Sequence, residues 1–157
     1  MFEISDRDID ITVCRDKLLD HASGGYVAFE GWVRNHNEGQ AVDALEYEIF
    51  DSLALKEGAK IISEAKERFD IKQVFGVHRK GLLELGGIAV WLGVSSAHRD
   101  AAYQASRYII DELKTRLPIW KKEHYQNGDA HWVNCKACSS VKSKASVVQE
   151  SAPQLSV

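Results

Sequence analysis

Pro118 stands between two hydrophobic patterns that cannot belong to one element. Upstream of it, Ala102, Ala105, Ile109 and Leu113 recur at helical spacing, which predicts a helix from Asp100 to Leu117. Proline disfavours helical geometry at the residue before it, so the helix must stop there. Downstream, Ile119 to Tyr125 reads as an extended strand. The stretch Leu113–Glu123, LKTRLPIWKKE, is therefore a helix end joined directly to a strand start. It carries Lys114 on the helical side and Lys121 and Lys122 on the strand side. Strand alternation sends Lys121 and Lys122 to opposite faces. At most one of that pair points with Lys114, and Lys122 is the one expected to face solvent.

The rest of the chain alternates strands and helices loosely. Thr12 opens a short helix with Val13, Leu18 and Leu19 as its apolar contacts, and Ser23-Gly24-Gly25 breaks it. Tyr26–Arg34 alternates with period two, with Val27, Phe29, Gly31 and Val33 on one face and Glu30, Trp32 and Arg34 on the other. After a polar loop at 35–40, Ala41–Phe50 alternates again, so an antiparallel pair is expected from these two strands. Asp51 or Ser52 caps a helix running to Phe69, with Leu55, Ala59, Ile62, Ala65 and Phe69 as its buried stripe. Strands follow at Ile71–Lys80 and Ile88–Ser96, separated by a turn at Gly86-Gly87. Gln126–Asp129 forms a turn, and His131–Val133 returns as a short strand. From Ser139 the chain is rich in Ser, Lys and Gln without periodicity and reads as a disordered tail, 139–157. The pattern implies one α+β domain over 1–138, with an antiparallel or mixed sheet and two long helices.

Composition narrows the class of activity. The 157 residues are 45% hydrophobic with a net charge of −3, enough apolar material for a core without metal or disulfide staples. A general nucleic-acid binder is more often basic overall, so no nucleic-acid partner is expected. The N-terminus, MFEISDRDID, has no apolar stretch of signal-peptide type, and no run approaches the length of a membrane span. The expectation is a soluble, cytoplasmic protein. Against the acidic average, basic residues gather at three element ends: Trp32 to Asn37, His98-Arg99 with the comparable His78-Arg79-Lys80, and Lys114 to Lys122. Singly, each reads most simply as solvated charge. Lys114 and Lys121, however, flank the reversal at Pro118 and can converge on one pocket. Close lysines depress one another's pKa, and a neutral amine serves as nucleophile or base while a charged one holds an anion.

These residues resemble a known family. GWVRNHNEG (Gly31–Gly39) followed by ALEYE (Ala44–Glu48) is similar to the strand-loop-strand signature of the large, catalytic subunit of molybdopterin synthase. VHRKG (Val77–Gly81), SSAHR (Ser95–Arg99), LKTRLPIWKKE and the Trp132-Val133 pair follow in that family's order. The resemblance implies a hammerhead-like α/β fold. It also implies a sulfurtransferase that builds the dithiolene of molybdopterin on cyclic pyranopterin monophosphate. Sulfur comes from the C-terminal thiocarboxylate of a small ubiquitin-like partner subunit, in a heterotetramer around a homodimer of large subunits. Carried over by motif, Lys114 and Lys121 match the essential lysines. Trp32, Val33, Arg34, His98, Arg99, Lys122 and Glu123 match positions lining the substrate site with them. Lys136 stands where many relatives carry an arginine thought to reach across the dimer; lysine keeps the charge without the bidentate fork.

Rival readings use the same residues. Cys135-Lys136-Ala137-Cys138 with His124 and His131 is a candidate zinc or redox site, but the spacing is not a usual one. Two incidental thiols are the simpler reading, and neither metal nor cofactor is expected. A non-catalytic pterin- or phosphate-binding module is the alternative to an enzyme, although neither GxGxxG nor GxxxxGK[ST] is present. Trp32, Trp91, Trp120 and Trp132 are expected in the core rather than as stacking platforms, and Glu46 and Glu48 as surface residues on one face of their strand.

Overall fold

A computed structural model describes residues 1–134. Lys136, the Cys135 and Cys138 pair and the expected tail from 139 lie outside the described residues. The elements in chain order are β1 (Phe2–Ser5), α1 (Ile11–Asp16), β2 (Gly25–Trp32), β3 (His36–Asn37), β4 (Gln40–Ile49) and α2 (Asp51–Arg68). They continue with β5 (Gln73–Arg79), β6 (Gly81–Glu84), β7 (Ile88–Ser96), α3 (Arg99–Arg116), β8 (Ile119–Tyr125) and β9 (Ala130–Asn134). Two sheets result, one of order β1-β5-β7-β2 and one of order β3-β4-β8-β9 in which β6 also pairs with β4. β1 runs parallel to β5, and β2 and β5 both run antiparallel to β7. The class is α+β, with mixed and antiparallel sheets and two helices of 18 residues each.

The helix–strand junction falls where the sequence places it. Ala102, Ala105, Ile109 and Leu113 are buried along α3, joined by Ser106 and Ile110. Leu117 takes extended geometry (ψ 138°) ahead of Pro118, and β8 starts at the next residue. Five expectations need correction. The buried stripe of α2 is Ala54, Gly58, Ile61, Ile62 and Ala65, while Leu55 and Ala59 face outward. The helix lies so close to β1 that small residues must face the sheet: a Cβ on Gly58 would stand 2.3 Å from the Phe2 ring. Asp51 is the first helical residue rather than the cap, and its carboxylate pairs with Lys80 instead. On α1 and just beyond it, Cys14 and Leu18 are buried while Val13 and Leu19 are exposed; the Asp10 side chain caps the helix by accepting from the Thr12 and Val13 amides. Of the four tryptophans only Trp91 is core, fully buried, whereas Trp32, Trp120 and Trp132 are exposed.

The fifth correction concerns strand pairing. β2 and β4 do not pair: β2 lies on β7, and β4 pairs with β8 and β6 in the other sheet. Residues 35–40 form a tight hairpin of β3 with β4 rather than an open loop, turning through positive φ at Glu38 (48°) and Gly39 (81°). Successive positive φ values of this kind match the twist of paired strands. An irregularity between Val42 and Ala44 then resets the alternation, so that Val42 and Leu45 are both buried. β6, unforeseen in the sequence, adds Leu83 opposite Leu45.

Three apolar clusters follow. Phe2, Val74, Val90, Leu92 and Val94 meet α2 and α3 on one face of the first sheet. Phe75, Val77 and Trp91 meet Cys14 and Leu18 on the other. Val33, Val42, Leu45, Leu83 and Ala89 join the two sheets at their seam. Burying such side chains contributes on the order of 1.5–3 kcal/mol each, which makes the seam a rigid support.

Candidate functional site

A cavity of about 370 Å³ opens at that seam. One wall is the row Gly31, Val90 and His78, which are neighbours across β2, β7 and β5. The facing wall comes from the second sheet, where Tyr47 pairs with Lys121 and Leu45 with Glu123 across β4 and β8. The end of α3 closes it with Ile110, Leu113, Lys114 and Leu117, and Trp32, Arg34, His36 and Asn37 also line it. Apolar walls with a few convergent polar groups are the usual form of a small-molecule site.

Glu123 organises the polar part. Its side chain is 1% exposed, and Oε1 lies 2.9 Å from the Lys121 Nζ, itself only 12% exposed. Oε2 accepts from the Tyr125 hydroxyl at 2.6 Å and from the Asn37 amide at 3.0 Å. The Asn37 carbonyl oxygen in turn accepts from Arg34 at 3.2 Å. Burial by itself raises the Glu123 pKa, but the hydrogen bonds from Tyr125 and Lys121, with the lysine's charge, hold it below the usual carboxylate value. The hydrogen bond to Glu123 pushes the Tyr125 phenol up to about 12, with burial adding to it. One buried carboxylate thus fixes the positions of two cations, Lys121 directly and Arg34 through Asn37. Lys114 is exposed, with its ammonium 5.7 Å from the Phe29 ring centre.

The structure therefore brings Trp32, Arg34, Lys114, Lys121 and Glu123 together. It does not bring the other four expected site residues with them. Val33 is buried in the seam cluster, and its amide and carbonyl are both bonded, to Gly87 and Gly86. Lys122 points away on the opposite face of β8, its ammonium 5.5 Å from the Trp132 ring centre. His98 and Arg99 sit at the start of α3, beside Gly24, Ala97 and Tyr103. Lys114 is in the last turn, roughly 20 Å away at 1.5 Å per helical residue. Among the described residues no group of three or more His, Cys, Asp or Glu is placed to hold a metal. His124 pairs with Glu46 at 3.2 Å, and His131 packs beside Tyr125.

Sequence reasoning missed the roles of Asn37, Tyr47, His78 and Tyr125. Only Tyr125 carried a legible signal, since alternation along β8 puts it on the face of Lys121 and Glu123. Asn37 depends on the hairpin turn, and Tyr47 and His78 on a meeting of two sheets. The ring centres of Tyr47 and His78 are 5.1 Å apart, edge to face.

Comparison with known proteins places the chain among relatives. A family model described as MoaE protein matches residues 4–116. The molybdopterin synthase catalytic subunit of Thermoplasma volcanium is 41% identical over 130 residues, spanning 83% of this chain and 95% of that protein. The Escherichia coli protein of the same description is 43% identical over 113 residues, spanning 72% of this chain and 75% of its own. A crystal structure of molybdopterin synthase from Staphylococcus aureus superposes with a TM-score of 0.80 at 36% identity, covering 84% of this chain and 96% of that one.

Proposed function

The chain belongs to the MoaE protein family, and we propose that it is the catalytic subunit of a molybdopterin synthase, working in the cytoplasm. No helix among the described residues is long and apolar enough to cross a membrane. The reaction in this reading is sulfur transfer from the thiocarboxylated C-terminus of a small ubiquitin-like partner subunit to cyclic pyranopterin monophosphate, forming the dithiolene of molybdopterin.

The observation that carries it is the cavity in which Arg34, Lys114 and Lys121 gather around buried Glu123. A pterin phosphate and a thiocarboxylate are both anions. Fixed cations against low-dielectric walls favour both, and favour the oxyanions that develop as sulfur is transferred. Lys121, held by Glu123, stabilises the pterin intermediate. Lys114, exposed in the last turn of α3, either moves the proton as the thiocarboxylate sulfur adds to the pterin, or attacks the thiocarboxylate carbon so that the C–S bond breaks and the sulfide passes to the pterin. Arg34 holds the phosphate.

His98 and Arg99 serve the same site only from a second copy, because in one chain the length of α3 separates them from Lys114. The homodimer within a heterotetramer is therefore part of the proposal, and a cross-dimer role for Lys136 goes with it. Lys122 is left at the outer face of the second sheet.

The test is an assay with thiocarboxylated partner and the cyclic precursor, following dithiolene product. Lys114→Ala is expected to lower turnover by about a hundredfold or more, as loss of a group acting on the reacting atoms does. Normal turnover in that variant contradicts the assignment. Binding of the precursor by the native chain without any product would favour the non-catalytic binding module.

A further inference from the structure

The cavity has a second polar feature well removed in character from its cations. His78 lines it beside Val90 and edge-on to Tyr47. Its Nδ1 lies 2.8 Å from the Arg79 carbonyl oxygen. A carbonyl oxygen only accepts, so Nδ1 carries the hydrogen. A neutral imidazole has a single N–H, which leaves Nε2 as a lone-pair acceptor. Burial pushes the His78 pKa down to about 4, and the bond to the Arg79 carbonyl offsets only part of that shift. The ring is therefore neutral near pH 7. Nε2 has no hydrogen-bond partner among the described residues. The charged groups lining the same cavity are Arg34, Lys114, Lys121 and Glu123, and Val90, Ile110, Leu113 and Leu117 supply apolar wall.

We propose that His78 reads the heterocycle of the substrate: Nε2 accepts a hydrogen bond from a ring or amino N–H of the bound pterin while the cations hold its anionic end. This rests on the reading of the cavity as a pterin phosphate site. His78 and the cations then select together for one kind of molecule, an anion joined to a flat ring with a donor edge. A ring presenting an acceptor at that position meets a lone pair and leaves both groups unpaired, which is the discriminating situation for a buried polar contact. Arg79 acts behind it as the carbonyl that fixes the tautomer. The same ring, packed against Tyr47, also links the substrate's heterocycle to the strand position opposite Lys121.

Two substitutions separate the acceptor from the scaffold. His78→Asn keeps a donor where Nδ1 bonds the Arg79 carbonyl and removes the acceptor at the Nε2 position. His78→Gln places an amide oxygen near the Nε2 position. Calorimetric titration of the full chain uses cyclic pyranopterin monophosphate and, separately, inorganic phosphate, with thermal melting of each variant alongside. His78→Asn is expected to bind the pterin about tenfold more weakly and His78→Gln within about threefold of native, with phosphate binding unchanged in both. Native-like pterin affinity in His78→Asn overturns the proposal. So do equal losses in the two variants, or losses that extend to phosphate and follow a lowered melting temperature, since those mark a structural role. A native chain that binds phosphate but not the pterin overturns the pterin reading itself, and this inference with it.

Discussion

A buried carboxylate, Glu123, and a half-buried imidazole, His78, set the chemistry of the cavity, and each makes its own prediction. Glu123 accepts from Tyr125 and Asn37 and pairs with Lys121. Glu123→Gln keeps the shape but turns one acceptor into a donor that faces other donors. It is expected to lower stability by about 1–3 kcal/mol, measured by urea unfolding. His78 predicts a pH dependence. Its folded pKa lies near 4 against an ordinary 6.5, so the unfolded chain takes up a proton first as pH falls. The stability that His78 contributes is present above pH 6.5 and is lost as pH drops toward 4. Glu123, depressed below its ordinary 4.5, acts lower: its contribution is lost only as pH falls through that range and beyond. Urea unfolding of His78→Gln should therefore show a flatter slope of stability against pH between about 6.5 and 4.5 than the native chain. An unchanged slope would mean that His78 is not the group being titrated. At this scale the sequence was partly readable. The alternation that separates Lys121 from Lys122 is a local property of one strand, and it places Lys121 and Glu123 together. The contacts of Asn37 with Glu123 and of His78 with Tyr47 span long stretches of chain and left no local signal.

The elements succeed or fail as positions for these side chains. α3 ends on a turn that carries Lys114, and Arg116 in that same turn fastens it to α2. Its guanidinium reaches Glu57 at 3.0 Å, Glu64 at 2.6 Å and Glu112 at 3.2 Å, and Tyr108 also donates to Glu64. Arg116 holds the Glu64 carboxyl below its usual value. Arg116→Met leaves three carboxylates without their cation, and is expected to destabilise the fold by about 1–3 kcal/mol and to lower turnover through the loosened Lys114 turn. Urea unfolding and the dithiolene assay on one preparation check both effects. The contact of α2 with β1 predicts that Gly58→Ala costs about 1–3 kcal/mol by overpacking against Phe2, an inversion of the usual gain from alanine in a helix. That inversion explains why the expected stripe of α2 has Leu55 and Ala59 where Ala54 and Gly58 are buried, while Ile62 and Ala65 are buried as expected. Helical periodicity finds large apolar residues, whereas close packing on the Phe2 ring selects small ones. α3 was read correctly because its inward positions combine alanines with Ile109 and Leu113, so both signals agree.

At the scale of the whole molecule, the site exists because two sheets meet under the end of one helix. Sequence order suggested that β2 and β4 pair, since they are adjacent and alternating. They instead belong to different sheets, and the tight β3–β4 hairpin with Val33 tied to Gly86 and Gly87 carries the chain across. Sheet membership depends on long-range pairing, which hydrophobic pattern does not encode; this is why the fold class was legible and the topology was not. The same architecture divides the basic residues. Arg34, Lys114 and Lys121 face the cavity, Lys122 faces outward beside Trp132, and His98 and Arg99 lie at the far end of α3. The neighbouring pair Lys121 and Lys122 gives the most direct test, because the two residues have the same chemistry and adjoin in sequence, and differ chiefly in the face they occupy. The measurement is turnover to dithiolene with thiocarboxylated partner, for Lys121→Met and Lys122→Met side by side. The expected result is a loss of about a hundredfold or more in Lys121→Met and of less than about fivefold in Lys122→Met. Equal losses, or a larger loss at Lys122, would contradict a catalytic cavity at the seam of the two sheets.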